Sequence, residues 1–173
     1  MPIDATLAET AAVLHSLCGV WDEVAVDELD HALQSAAHAL ADGADDELVL
    51  AAALHDVAHS PLLPPSSAHD RTAREWLRPR YGERVAWLAG AHVAAKRYLA
   101  ATEPDYAAAL SDTSVTSLAA QGGAGVDDAW TSHPWWPDAL RLRRYDDAAK
   151  DPAARGASVA DVMAVAQRVL TRP

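Results

Sequence analysis

The 173-residue sequence contains one cysteine, two methionines and no phenylalanine. A lone cysteine excludes an internal disulfide and a zinc site built from several thiolates. No apolar run approaches the roughly 20 residues that a membrane-spanning helix needs, and no basic and then apolar stretch of the signal-peptide type opens the chain. We therefore expect a soluble cytoplasmic protein with no membrane association.

Basic residues are also scarce, with 14 Lys and Arg against 25 Asp and Glu and a formal net charge of −11. Nucleic acids bind to clustered Lys and Arg, so this balance argues against a nucleic-acid partner. An anionic substrate would require a local basic pocket. The length suits one domain with room for a core, so we expect a single domain over residues 1–173, as a monomer or a small homo-oligomer.

Ala, Leu and Val are abundant, and half of the residues are hydrophobic. Ala and Leu favour helices, and no stretch alternates apolar and polar residues as a half-buried strand would. The sequence therefore predicts an all-α fold whose helices are separated by Gly and Pro. The expected helices cover residues 4–18, 26–41, 45–59, 68–80, 83–100, 137–149 and 158–170, with short helical segments after Pro104 and within SDTSVTSLAAQGGAG.

The most informative motif is the pair His55-Asp56, which ends the apolar run LVLAAALHDVAH. A carboxylate in this place can bridge two cations, whereas an imidazole binds only one. A single His on an apolar helix is more often a core or surface residue than a ligand, but here several occur together. Imidazoles and carboxylates from facing helices suit iron, manganese and similar divalent ions. The predicted ligands are His31, His55, Asp56 and Asp146 for one metal, and Asp56, His69 and His92 for the second.

Several segments beyond the HD pair resemble one family, the HD-domain mixed-valent diiron oxygenases, to which myo-inositol oxygenase is more distantly related. They are HALQSA, LHDVAH, AHVAAKRYL, SLAAQGG and LRRYDDAAKDP, and the resemblance spans roughly residues 21–152. The HD pair alone is weak, because HD phosphohydrolases share it, but the combination of segments is specific. The resemblance implies an HD-domain helical bundle and places the family's ligands on the same six residues.

The resemblance also implies the chemistry. In this family an Fe(II)/Fe(III) pair is bridged by the Asp of the HD pair, and O2 is the co-substrate. The substrate chelates one iron through its hydroxyl, and an Fe(III)-superoxide abstracts hydrogen from the hydroxyl-bearing carbon. Cleavage of the adjacent C–P or C–C bond follows. The implied substrate is a small α-hydroxylated phosphonate or a similar anion.

Such a substrate requires an anion pocket, which we predict beside the metal ligands. Lys96 follows His92 by one helical turn, and Arg143 precedes Asp146 by three residues, so each shares a helix face with a ligand. Both match the family's phosphonate-contacting positions, and Arg suits a bidentate grip on a phosphonate; their alternative role is as solvated helix residues. Ser114 is equally suited to cap a helix. Further candidate substrate contacts are Ser114, Ser117, Gln121, His59 and Trp21.

The loop before the first ligand departs from the family pattern. Members that act on an aminophosphonate carry a Tyr there, which occupies an open iron position until substrate arrives, and a Glu that reads the amino group. Trp21 and Val24 stand at these positions, and an indole cannot ligate iron. Asp22 or Glu23 would compensate only through a shift of one or two residues. The expected substrate is therefore a different hydroxyphosphonate or another small hydroxylated anion.

Two other functions remain open from the sequence. An HD phosphohydrolase would attack a small phosphate ester with a metal-bound hydroxide, and the ligands alone do not separate that chemistry from oxygenation. A non-catalytic helical regulator would be expected to have lost at least one ligand, whereas the predicted set is complete. HALQ, RRYDDAAK and the compact length favour the oxygenase.

Overall fold

The computed structural model describes residues 2–172, and their regular secondary structure is entirely helical, which confirms the predicted all-α class. No helix among these residues has both the length and the apolar character needed to cross a membrane. The expectation of a single HD domain stays a prediction. The helices are α1 (Ile3–Ser16), α2 (Glu28–Ala41), α3 (Asp46–Leu54), α4 (His69–Tyr81), α5 (Glu83–Thr102), α6 (Pro104–Ala109), α7 (Asp112–Ala120), α8 (Asp128–Thr131), α9 (Trp136–Ala148) and α10 (Val159–Thr171).

Helix starts follow the polar capping residues in the sequence. Four N-cap side chains accept a hydrogen bond from the backbone N–H three residues on: Asp27, Asp45, Ser111 and Ser158. An N-cap of this kind satisfies one of the free N–H groups of the first turn. Because Ser111 caps α7, the side chain of Ser114 is left free for other contacts. The short helix α8 was not among the predicted elements.

The predicted third helix ends earlier than its apolar run suggested. Helix α3 stops at Leu54, and Asp56 has φ −105° and ψ 20°, a sparsely populated region in which active-site residues are often found. A turn of 3-10 helix, Val57–His59, follows. The prediction of a continuous helix to His59 is therefore wrong. Consecutive residues of an α-helix point about 100° apart, so the break allows His55 and Asp56 to approach one point.

Helix α3 is the centre of the fold. Every residue from Leu48 to Leu54 is buried, and the helix packs against α2, α5, α9 and α10. Three consecutive alanines on α3 (Ala51–Ala53) present little bulk, which allows surrounding helices to approach closely. Helix α4 in turn packs along α5. This arrangement brings the side chains of four other helices to the C-terminal end of α3, where the HD pair lies.

Candidate metal centre

The structure brings all six predicted metal ligands together at the C-terminal end of α3. They come from α2 (His31), from the break after α3 (His55 and Asp56), from the first residue of α4 (His69), from α5 (His92) and from α9 (Asp146). Several of them are deeply buried, since His31, His55 and His92 are each at most 2% exposed.

Three of the ligands, His31, His55 and Asp146, form a group that we call the buried cluster, whose donor atoms all lie within 4.8 Å of one another. Nε2 of His55 lies 3.1 Å from Oδ2 of Asp56 and 3.3 Å from Oδ2 of Asp146. Nε2 of His31 lies 3.4 Å from Oδ1 of Asp146 and 3.6 Å from Oδ2 of Asp56. Two donors about 2.1 Å from one ion are about 3 Å apart at right angles and about 4.2 Å apart when opposite. The four side chains can therefore hold one ion.

On the solvent side, His59, His69 and His92 form what we call the open cluster. Their Nε2 atoms lie 3.8, 3.7 and 3.5 Å from Oδ1 of Asp56, and those of His69 and His92 are 3.1 Å apart. Oδ1 of Asp56 is buried without a hydrogen-bond partner. The two oxygens of Asp56 thus face different clusters, which is the arrangement of a carboxylate that bridges two ions.

The backbone fixes the tautomers of three imidazoles. Nδ1 of His31, His55 and His92 lies 2.9, 2.8 and 2.5 Å, respectively, from the carbonyl oxygen of an alanine. Because a carbonyl only accepts, each Nδ1 carries a hydrogen and each neutral ring directs its Nε2 lone pair into the centre. The Nε2 atoms of His31 and His55 are 3.3 Å apart, a separation at which two lone pairs repel unless a proton or a cation relieves them. Burial alone would lower the pKa of His55, but Asp56 and Asp146 raise it well above its usual range, so a bound metal ion would take the place of a proton there. The donor set therefore fits a pair of metal ions.

Burial and charge shift the pKa values of the ligands. Burial alone would raise the pKa of Asp56 and of Asp146, but His55 beside the first and Arg143 beside the second hold both pKa values well below the usual range. Burial lowers the pKa of His92 to about 3. At neutral pH both carboxylates are thus charged and His92 is neutral, and these are the states in which such groups bind metal.

A cavity of about 440 Å³, including its open mouth, lies in front of the metal centre. Five predicted substrate contacts line it beside the ligands: Lys96, Arg143, Ser114, Ser117 and Gln121. His59 lies in the same lining at the mouth. The local basic pocket that an anionic substrate requires is therefore present in this otherwise acidic protein.

Two lysines line this pocket, and one of them is paired with a carboxylate. Nζ of Lys96 donates a hydrogen bond to Oγ of Ser117 at 2.5 Å, and burial followed by the nearby Arg143 lowers its pKa to about 8. Lys150 was not among the predicted residues, although it follows Asp146 by four residues, just beyond the end of α9. Its Nζ donates to Oγ of Ser114 at 3.1 Å and pairs with Glu23 at 2.6 Å.

Arg143 lines the cavity, but its guanidinium is already held by its own helix. Nη1 lies 2.7 Å from Oδ2 of the ligand Asp146, and Nε donates to Oδ2 of Asp147 at 3.0 Å. Tyr106 donates to the same Asp147 oxygen at 2.7 Å. The guanidinium N–H groups that were predicted to bind a phosphonate in a bidentate manner thus bind Asp147. In this geometry Arg143 pairs with Asp146 and balances its charge, and its role as a substrate contact stays a prediction.

The loop before α2 places its side chains differently from the prediction. Trp21 is 62% exposed and is not part of the cavity lining, whereas Asp22 and Glu23 are. Glu28, which was not predicted, also lines the cavity, and its Oε2 is buried without a hydrogen-bond partner. Burial, followed by Asp56, raises the pKa of Glu28 to about 9. Its position three residues before His31, on the same helix face, was the signal that could have identified it.

Curated relatives of the chain include two phosphonate dioxygenases. Hydroxymethylphosphonate dioxygenase of Gimesia maris is 34% identical over 154 residues, which cover 82% of this chain and 75% of that protein. The [1-hydroxy-2-(trimethylamino)ethyl]phosphonate dioxygenase (glycine-betaine-forming) of Leisingera caerulea is 32% identical over 132 residues, which cover 70% of this chain and 67% of that protein. A scan against models of protein families finds no match. These relatives confirm the resemblance seen in the sequence: the chain belongs to the HD-domain oxygenase family.

Proposed function

We propose that the chain is a diiron dioxygenase that cleaves the C–P bond of a small α-hydroxylated phosphonate. The observation that carries the proposal is the placement of Asp56, whose Oδ2 lies 3.1 Å from Nε2 of His55 while its Oδ1 lies 3.5 Å from Nε2 of His92. One carboxylate thus serves two groups of imidazoles. Both relatives carry names of dioxygenases acting on hydroxylated phosphonates, which supports the reaction class and the substrate class.

One ion would be held by the buried cluster together with Asp56, and the other by Asp56, His69 and His92. A set of imidazoles and carboxylates without thiolates suits iron among the first-row metals. When bound, the iron pair supplies the redox chemistry with O2 that no side chain of the cavity offers. The role of the protein is to hold the two ions on one shared carboxylate and to place the substrate against them.

The wall opposite the ligands is suited to orienting the phosphonate. The ammonium groups of Lys96 and Lys150 and the hydroxyl groups of Ser114 and Ser117 all line this part of the cavity, and they are donors for phosphonate oxygens. Hydrogen bonds to charged groups are each worth about 1.5–3 kcal/mol. A phosphonate held there would direct its hydroxyl-bearing carbon towards the metal centre. The cleavage would consume one O2 per substrate and release a carboxylic acid and inorganic phosphate.

The acidic part of the lining bears on substrate choice. Asp22, Glu23 and Glu28 approach the cavity from the loop before α2 and from the start of α2. Lys150 pairs with Glu23 at 2.6 Å, which offsets one charge of this loop, so the phosphonate would be drawn mainly to Lys96. Trp21 stands where the family carries the Tyr, and Val24 stands where it carries the Glu that reads the amino group; they are 62% and 86% exposed. This supports a substrate that lacks the amino group, such as hydroxymethylphosphonate.

The test is an oxygen-consumption assay on protein reconstituted with Fe(II) and partly oxidised. We expect hydroxymethylphosphonate or a close 1-hydroxyalkylphosphonate to give equal amounts of O2 consumed and phosphate released. The substrate-free protein should contain two irons per chain and give the EPR signal of a coupled Fe(II)/Fe(III) pair. Phosphate release from a small phosphate ester under argon, without turnover of any hydroxyphosphonate in air, would instead establish the phosphohydrolase.

A further inference from the structure

His59 was predicted as a substrate contact, but its geometry resembles that of the ligands around it. We infer that His59 is a fourth protein ligand of the second metal ion in the substrate-free protein, beside Asp56, His69 and His92. This inference rests on the proposed two-metal function. His59 would thus place a metal-binding nitrogen at the mouth of the cavity, where an entering substrate would contact it.

Distances provide the first argument. Nε2 of His59 lies 3.8 Å from Oδ1 of Asp56, and Nε2 of His69 lies 3.7 Å from the same atom. Donor atoms of Asp56, His59 and His69 all lie within 4.8 Å of one another. Two donors of one first-row ion are separated by about 3 to 4.2 Å. The criterion that assigns His69 to the second ion therefore assigns His59 as well.

The unpartnered oxygen of Asp56 provides the second argument. Oδ1 is buried and accepts no hydrogen bond within the described residues, and a buried acceptor left in this state costs about 1–3 kcal/mol. Three imidazole nitrogens surround it, from His59, His69 and His92. A cation placed between this oxygen and the nitrogens of His59 and His69, whose donor atoms lie within 4.8 Å of one another, would give the oxygen its partner.

The local backbone provides the third argument. In a continuous α-helix His59 would lie one turn after His55 and share its face. The chain instead makes a 3-10 turn, in which the N–H of His59 donates to the carbonyl of Asp56 at 3.0 Å. Side chains three residues apart are eclipsed in a 3-10 helix. The turn thus aligns His59 with Asp56, the residue whose free oxygen it faces.

His59 is also held less firmly than the buried ligands. Its side chain is 22% exposed, and its ring makes no hydrogen bond through Nδ1 within residues 2–172. Its ring centre lies 5.2 Å from that of His69. An imidazole at the mouth that is not locked by the backbone can leave the ion when another ligand arrives. His59 would then occupy a coordination position in the resting protein and give it up to the substrate.

The experiment uses the full chain loaded with Co(II), whose visible absorption reports coordination number and donor type. His59→Ala and His59→Gln are compared with wild type and with His38→Ala, a control on the exposed side of α2. We expect both His59 variants to bind the second Co(II) at least about tenfold more weakly, since even the loss of an outer supporting hydrogen bond typically costs 10–100-fold. The spectrum of the two-metal form should change, and added imidazole should restore it in His59→Ala.

The possible outcomes separate the inference from the function on which it rests. If wild type binds two ions and both variants keep its metal affinity and spectrum, the assignment of His59 as a ligand is overturned. If those variants show only a raised KM, His59 is a substrate contact, as the sequence predicted. Recovery of the wild-type spectrum by His59→Gln would equally overturn it, because glutamine keeps hydrogen bonding but is a poor ligand. If wild type binds fewer than two ions, the two-metal function itself fails. Thermal unfolding of the metal-free variants checks that they are folded.

Discussion

The buried cluster differs from the outer part of the open cluster, His59 and His69, in how firmly the protein holds the side chains. His31 and His55 are locked through Nδ1 to backbone carbonyls, and Asp146 is held by Arg143 at 2.7 Å. His59 and His69 are about one-fifth exposed and lack such locks. From this difference we expect the ion of the buried cluster to stay enclosed. We expect the ion of the open cluster to exchange ligands with solvent and substrate.

The largest effect is expected from removing the residue that the two clusters share. Asp56→Ala takes one oxygen from each cluster, so both ions should be lost together and turnover should become undetectable. Metal analysis after desalting and the oxygen assay measure this. If the variant keeps one tightly bound ion, Asp56 belongs to one cluster only and the proposed bridge is absent.

The next largest effect should come from the support of the buried cluster. Arg143→Met leaves Asp146 and Asp147 without their shared guanidinium, and breaking a buried pair typically costs about 3–5 kcal/mol. We expect the free energy of unfolding of the metal-free protein to fall by that order and the buried ion to bind more weakly. Urea denaturation and metal titration measure the two effects. A variant of unchanged stability that shows only a raised KM would make Arg143 a substrate contact instead.

A paired substitution compares the two clusters directly. His31→Ala deletes a buried ring and leaves the carbonyl of Ala149 without its donor, which should cost about 1–3 kcal/mol of unfolding free energy. His69→Ala removes a partly exposed ring and should cost about 0.5 kcal/mol or less, the range usual for surface positions. Each variant should lose one ion. An equal loss of unfolding free energy in the two metal-free variants would contradict the proposal that His31 is held more firmly than His69.

The smallest effect concerns the anion wall and its pH dependence. Burial and then Arg143 lower the pKa of Lys96 to about 8, with Lys150 also disfavouring its charge and Asp146 and Asp147 favouring it. Lys96 is therefore charged below this pKa and loses its proton as pH rises through it. We expect kcat/KM for a phosphonate to fall about tenfold per unit of pH above about 8. In Lys96→Arg the decline should shift to higher pH, and an unchanged profile would remove Lys96 from phosphonate binding.

Much of the helical framework was predictable because its signals are local. The bounds of α2, α5 and α10 fall within two residues of the expected ones, since capping residues and apolar periodicity act over a few residues. The break at His55-Asp56 was not predicted, because the apolar run continues through it. What ends the helix is the placement of both side chains at one centre, which local propensity does not encode.

The site was predictable in its donor types and less so in its contacts. The pairing of the Arg143 guanidinium with Asp147 could have been predicted, because Asp147 follows Arg143 by four residues, a spacing at which ion pairs form on helices. Lys150 and Glu28 also lie within four residues of predicted ligands. The exposure of Trp21 had no such signal, because a loop does not fix the direction of its side chains through periodicity.

The sequence by itself determined an all-helical protein carrying imidazole and carboxylate donors on separate helices, since composition, caps and motif residues are properties of short segments. The tertiary structure decided that both oxygens of Asp56 have imidazole neighbours, and that His31, His55 and His92 are locked to backbone carbonyls while His59 and His69 are partly exposed. Donors as far apart in the sequence as His31 and Asp146 meet because α2 and α9 pack against each other and both contact α3. The solvent accessibility of each donor depends on that packing. The expected difference between an enclosed ion and an exchangeable ion depends on it as well.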